Sequence, residues 1–232
     1  NNYRLEEVMK SFVKQIISSV SPRLFRRLKR FNYEKNVLPK EFVIHMNRLK
    51  KGDLVIDVGA NIGLVTESLA LRGATVISLE PNSEAFLKLK EVELRYENID
   101  ARQEAAGTED KNVKLYLHKS SLGSESDFTQ ASSLLSKKPN VSEELYEEIK
   151  EIDFALLIKS LKSSVELIKI DIEGYEIDLI NHLLDMKVLD KVKKIYVETH
   201  ERKFNALLEE TEKLKRRVVD EGYEEKFFFD WH

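Results

Sequence analysis

The sequence predicts an α/β protein with a Rossmann-like, mostly parallel open sheet, helices on both faces, and amphipathic helices ahead of it. Three observations lead there. Short apolar runs of strand length alternate with segments of helical period from Leu54 onward. The first run stops in a glycine turn, DVGANIG at 57–63, and the next ends on an acid, Glu80, 17 residues after Gly63. Repeated strand-helix-strand units pack as parallel sheets with their crossovers on the faces.

Residues 1–41 read as a basic helical extension. Leu5, Val8, Met9, Phe12, Val13, Ile16, Ile17 and Val20 recur at helical spacing, and Ser21-Pro22 opens a second helix with Leu24, Leu28 and Phe31 on one side. The first fifty residues carry twelve Lys or Arg against four Glu. Two uses stay open for these helices. Their apolar faces suit the sheet or a partner subunit, while Arg23, Arg26, Arg27, Lys29 and Arg30 suit an anionic membrane or polymer.

Residues 42–232 form the sheet domain. Leu54–Val58 is the first strand; Ile62, Val65 and Leu69 line the helix after it, which Gly73 ends. Thr75–Leu79 is the second strand, followed by a helix marked by Phe86, Leu89, Val92 and Tyr96. Ile99–Ala106 reads as a third strand and Val113–Leu117 as a short extra one. The serine-rich interval 118–148 is too polar for core and longer than a usual connector, so it is expected as an insertion, either a lid on the acceptor side or a surface excursion. Val165–Asp171 resumes the pattern, with Ile177, Ile180 and Leu184 on the next helix. The strand Val192–Glu198, the helix Phe204–Val218 and a last strand, Tyr223–Phe229, complete it.

Composition narrows the function classes. With 42% hydrophobic and 34% charged residues the chain is globular, and a net charge of −3 gives no general reason to expect nucleic acid. The absence of cysteine excludes disulfides and thiolate metal sites. The most apolar stretch, 54–79, is interrupted by Asp57, Asn61, Glu67 and Arg72 and so is no membrane span. No secretory signal is visible and the first residue is not Met, which points to a trimmed start and a cytoplasmic protein, membrane-peripheral if the basic helices bind lipid.

The glycine turn and Glu80 imply a nucleotide-like cofactor. Gly59 and Gly63 permit a tight turn and a close approach of ligand to backbone amides, and Glu80 suits a ribose diol. A dinucleotide fingerprint would read GxGxxG; here the order is Asp57-x-Gly59-x-Asn61-x-Gly63. A carboxylate at Asp57 suits an ammonium or sulfonium better than pyrophosphate. A nicotinamide-dependent oxidoreductase is the alternative enzyme, and a non-enzymatic scaffold binding anionic surfaces through residues 1–50 is the alternative of another class.

At VIDVGANIG (55–63), SLEPN (78–82), EAAG (104–107), SSL (132–134), LIKIDIEGYE (167–176) and VETHE (197–201) the chain resembles the FkbM-type methyltransferases, within the class I S-adenosylmethionine-dependent fold. The resemblance covers roughly residues 42–229. It implies an O-methyltransferase acting on a hydroxyl of a sugar, polysaccharide or small metabolite, with an amine acceptor as the alternative. It places the amino-acid part of S-adenosylmethionine on Asp57, Gly59 and Asn61, ribose on Glu80, and adenine near Glu104 and Ala105. Ala60, Gly63, Pro81 and Asp171 complete the expected cofactor set. Sheets of this class usually close with a pair of strands, so a single terminal strand is expected to leave Phe227, Phe228 and Trp231 partly uncovered, against the N-terminal helices or another subunit in a homo-oligomer.

The expected chemistry lies at two later strand ends. Period two puts Lys169 with Asp171, and Glu198 with His200, on one face. In matching register Lys169 faces Glu198 as a buried ion pair, with Asp171 and His200 one level above it. Methyl transfer to a hydroxyl needs alignment and one proton acceptor. His200, whose ordinary pKa is about 6.5, is the expected general base, with Asp171 and Glu173 as further catalytic candidates. Helix capping is the structural alternative for Asp171 and Glu173. Lys169, Glu198, Ser132 and Ser133 are expected at or behind the substrate. Asp171, Glu173 and His200 also have the chemistry to hold a divalent cation, although the reaction does not require one.

Overall fold

The apolar runs form a sheet because almost every side chain in them is removed from water. Val55, Ile56 and Val58 in the first, Leu167, Ile168 and Ile170 in the fifth, and Ile195 and Val197 in the sixth are buried. Each such side chain contributes roughly 1.5–3 kcal/mol, and strands apolar on both faces belong inside a parallel sheet with helices over each side. The computed structural model describes residues 21–118, 141–201 and 207–231.

Nine strands are described: β1 (Leu54–Val58), β2 (Thr75–Leu79), β3 (Ile99–Arg102), β4 (Glu104–Gly107), β5 (Lys111–His118), β6 (Val141–Asp153), β7 (Val165–Ile170), β8 (Val192–Glu198) and β9 (Phe227–Trp231). Six form the main sheet in the order β3-β2-β1-β7-β8-β9, and every neighbouring pair in it is parallel. The chain builds outward from β1 to β3, then restarts beside β1 at β7 and builds the other way. That reversal opens a crevice at the carboxyl ends of β1 and β7, where open α/β sheets bind ligands.

The helices are α1 (Pro22–Asn36), α2 (Lys40–Met46), α3 (Leu64–Leu71), α4 (Ser83–Glu93), α5 (Phe154–Ser160), α6 (Glu176–Asp185) and α7 (Leu208–Asp220). Their boundaries have local causes. The Asn82 side chain accepts the Ala85 amide at 2.9 Å to start α4, and the Asp153 side chain accepts the Leu156 amide at 2.9 Å to start α5. Leu89 and Val92 of α4, and Leu179, Ile180, Leu183 and Leu184 of α6, are buried.

Two compact units divide the chain, residues 1–43 and 44–232. In the first, α1 begins where the Ser21 hydroxyl accepts the Leu24 amide, with Pro22 in the first turn and Lys35 in the last. Its Leu24, Leu28 and Phe31 are exposed, as are Arg23, Arg27 and Lys29. The helix expected from Leu5 to Val20 lies outside the described residues, and among those residues no helix is long and apolar enough to cross a membrane.

Three parts of the sequence reading change. The single strand expected at Ile99–Ala106 is two: β3 joins the main sheet, and after Gln103 the chain passes to β4 in a second sheet. That sheet, β4-β6-β5, has β4 parallel and β5 antiparallel to β6. Neither β6 nor α5 is evident in the sequence. Residues 141–148, the end of the supposed insertion, belong to β6, in which Glu147, Glu148, Lys150 and the buried Glu151 hide the apolar alternation of a strand. The last strand also starts later than expected, because Glu224–Lys226 forms a 3-10 turn before β9. Trp231 is buried, whereas Phe227 and Phe228 are half-buried.

Candidate functional site

The site grows from the end of β1. Gly59 has φ +74°, and a Cβ there would lie 1.8 Å from the Asp171 carbonyl oxygen, so only glycine lets this turn meet the end of β7. The Asp171 amide donates to the Val58 carbonyl at 3.1 Å, joining the same two segments. Asn61 follows in a left-handed conformation, φ +50°, which Asn tolerates better than most residues.

Every amide of the turn is used internally. Gly59 and Ala60 donate to the Leu79 carbonyl, Asn61 to Glu80 Oε2 at 2.7 Å, Ile62 to Asn61 Oδ1 at 2.6 Å, and Gly63 to the Ala60 carbonyl. The expectation that ligand atoms reach bare amides in this loop is therefore corrected: the loop is not a phosphate cradle. Its amides instead fix Glu80, whose other oxygen accepts the Asn82 amide at 2.9 Å. Burial pushes the Glu80 carboxyl up to about 7, against the pull of the two amides. Each oxygen keeps a lone pair, so Glu80 fits the diol of a ribose. Pro81 lies between Glu80 and Asn82 and is half-buried.

Asp57 does not open onto the crevice. It is fully buried, accepts the Thr66 hydroxyl at 2.7 Å and lies 3.5 Å from Lys169 Nζ. Lys169 is nearly as buried; its ammonium donates to the Gly59 carbonyl at 2.7 Å and lies 3.4 Å from Asp171. The expected pairing of Lys169 with Glu198 is overturned by register. Lys169 stands between Asp57 of β1 and Tyr196 of β8, so Glu198 lies two residues further on, at the level of the crevice. The face was legible in the sequence; the level was not. Asp57 thus holds Lys169 beneath the turn and is not placed to receive a cofactor ammonium.

Four carboxylates converge on His200. Its ring is buried, with Nδ1 2.9 Å from Glu176 Oε1. Nε2 lies 3.5 Å from Glu173 Oε2, 3.8 Å from Asp171 Oδ1 and 3.9 Å from Glu198 Oε1. Glu173 reaches this position from a strained backbone, φ +56°, directly before Gly174. Burial opposes a charge on the imidazole, but the carboxylates of Glu173 and Glu176 outweigh it and push the pKa up to about 10. That direction weighs against His200 as a general base, and the other groups around it that can accept a proton are the carboxylates.

The capping alternative is not what the structure shows. The residue before α6 is Tyr175, and neither Asp171 nor Glu173 caps the helix. Glu176, to which the sequence reading gave no role, accepts the amides of Ile172 and Gly174 at 3.1 and 3.0 Å and so closes the turn while facing His200. Its signal was an acid at the first helical position after a glycine. Glu104 is engaged elsewhere, its carboxylate accepting Lys150 Nζ at 2.6 Å, and Ala105 is buried in the small core of the second sheet with Leu115 and Ile149. Ser132 and Ser133 lie outside the described residues.

Residues 57–224 match the family model described as the methyltransferase FkbM domain. No curated protein matches the chain. Among solved structures, it is similar to the precorrin 8W decarboxylase of Methanobacterium thermoautotrophicum, with 16% identity over 78% of this chain and 69% of that one and a TM-score of 0.42. It is also similar to the precorrin-6y C5,15-methyltransferase of Geobacter metallireducens, with 12% identity over 81% and 74% and a TM-score of 0.42.

Proposed function

We propose that this chain, which belongs to the methyltransferase FkbM domain family, transfers a methyl group from S-adenosylmethionine to a hydroxyl of a sugar, polysaccharide or small metabolite. The observation that carries the oxygen acceptor is the group of carboxylates around His200 at the mouth of the β1-β7 crevice. A hydroxyl gives up its proton as it is alkylated, and this site gathers proton acceptors where the acceptor must stand.

The residues fit the cofactor. Glu80 offers ribose an anchored carboxyl, and the turn at 59–63, with its amides all occupied, suits an uncharged or cationic ligand rather than a pyrophosphate. That weighs against the nicotinamide reading, as does the family. When bound, S-adenosylmethionine supplies an electrophilic methyl carbon on a sulfonium. The chain does the rest by position: Lys169 holds the Gly59 carbonyl and Asp171 in one unit, and His200 stands against Glu173 and Asp171 beside the acceptor. Glu173 is the proposed proton acceptor.

Calorimetry with S-adenosylhomocysteine and NADH tests the cofactor, and transfer of labelled methyl to a panel of glycans and hydroxylated metabolites tests the acceptor. Binding of S-adenosylhomocysteine alone is expected, with Glu173→Gln binding normally while losing at least a hundredfold in transfer. NADH binding without a response to S-adenosylhomocysteine would overturn the assignment.

A further inference from the structure

We propose that Asp171, Glu198 and His200 bind one divalent cation. One oxygen from each carboxylate and one ring nitrogen lie within 4.8 Å of one another. They come from the ends of two adjacent parallel strands, β7 and β8, which fix their backbones independently of any ligand.

The histidine separates this group from an ordinary patch of acids. Nε2 is buried and, among the described residues, meets the hydrogen-bond criteria with no group, although oxygens of Glu173, Asp171 and Glu198 stand 3.5, 3.8 and 3.9 Å from it. Those spacings are too long for hydrogen bonds and suit atoms held around a common centre. A cation with bonds of about 2.1–2.3 Å would draw such ligands to about 3–3.5 Å apart, a closure of roughly half an ångström at the ring nitrogen and up to about 1.5 Å between the carboxylates, which side-chain rotation supplies. On its far side the ring meets Glu176 Oε1 at 2.9 Å, and Glu176 is itself held by the Ile172 and Gly174 amides. A carboxylate behind the second ring nitrogen is the usual support of a metal-binding histidine, since it orients the ring and leaves the other nitrogen facing the metal. Binding exchanges the Nε2 proton for the cation.

Two oxygen ligands and one imidazole suit Mn²⁺ or a similar cation of intermediate hardness. Three protein ligands leave coordination positions free, enough for two neighbouring oxygens of one acceptor, so the preferred substrate would carry a vicinal diol or a hydroxyl beside a carbonyl. That preference rests on the methyl-transfer reading; cation binding does not.

The test is titration of the full chain with Mn²⁺ at fixed pH, followed by loss of the free-ion electron paramagnetic resonance signal. One bound Mn²⁺ per chain is expected, with affinity reduced at least tenfold in Asp171→Asn and in Glu198→Gln and unchanged in Glu84→Gln, an exposed carboxylate paired with Lys88 on α4. Circular dichroism confirms that each variant is folded. No binding, or binding that all three variants retain, overturns the proposal. Methyl transfer that proceeds at full rate in EDTA overturns the preference for a chelating acceptor while leaving the methyltransferase reading intact. Mn²⁺ binding that follows the expected pattern in a protein without affinity for S-adenosylhomocysteine supports the cation site and sinks the reading.

Discussion

Replacing Lys169 with Met tests the part of the site on which the rest stands. Lys169 is 3% exposed, and its ammonium donates to the Gly59 carbonyl at 2.7 Å and lies 3.5 Å from Asp57 and 3.4 Å from Asp171. Asp171 is open enough to be hydrated once the lysine is gone, but Asp57 is not, since it is wholly buried. Its Oδ2 keeps the Thr66 hydroxyl as a donor. Removing one member of a buried pair costs about 3–5 kcal/mol. With an m-value of about 2–3 kcal/mol/M, that lowers the urea midpoint by about 1–2.5 M. Urea titration followed by circular dichroism measures it. Asp57→Asn in the same background should restore about 1–3 kcal/mol, because the stranded charge is then absent. A midpoint within 0.3 M of the parent (about 1 kcal/mol or less), or strictly additive effects in the double variant, would refute the claim that Lys169 neutralises Asp57.

Gly59→Ala should lower the melting temperature much more than Gly52→Ala. Both glycines are left-handed, at φ +74° and +87°, but an added Cβ meets the Asp171 carbonyl at 1.8 Å in one and nothing within 4 Å in the other. The strain common to both is about 1–2 kcal/mol, and calorimetry should show at least twice that at Gly59, with cofactor binding lost. Glu80 should make both cofactor binding and stability depend on pH. Its folded-state pKa of about 7 lies above the ordinary 4.5, so its contribution to stability is full below pH 4.5 and is lost as pH rises through 7. The ionised form accepts a diol best, so affinity for S-adenosylhomocysteine should rise with pH to about 7 and then level off. Glu80→Gln should abolish both slopes, as urea midpoints and calorimetry at pH 5, 7 and 8 would show.

Much of the sheet was legible because its central strands are apolar on both faces. Leu54–Val58, Thr75–Leu79 and Val192–Glu198 have the same boundaries in the sequence reading and in the structure. The second sheet was not, because a strand that buries one face and carries Glu147, Glu148, Lys150 and Glu151 resembles a charged connector. At the site, residue types were readable but partners were not. Periodicity placed Lys169 and Asp171 on one face, as it did Glu198 and His200, yet the register between β7 and β8 that gives Lys169 to Asp57 is a property of two strands together. The charge of His200 was hidden for the same reason. It depends on Glu173 and Glu176 from the turn before α6, which no spacing within VETHE reveals.

The close approach of Gly59 to Asp171 has a mechanical consequence. With no side chain between them, and with the Val58 carbonyl and the Lys169 ammonium bonded across the gap, the turn after β1 and the acid at the end of β7 are joined as one unit. In-line transfer tolerates errors of only about an ångström. On the proposed reaction, this backbone contact would keep the donor aligned while surrounding residues are reshaped for another acceptor.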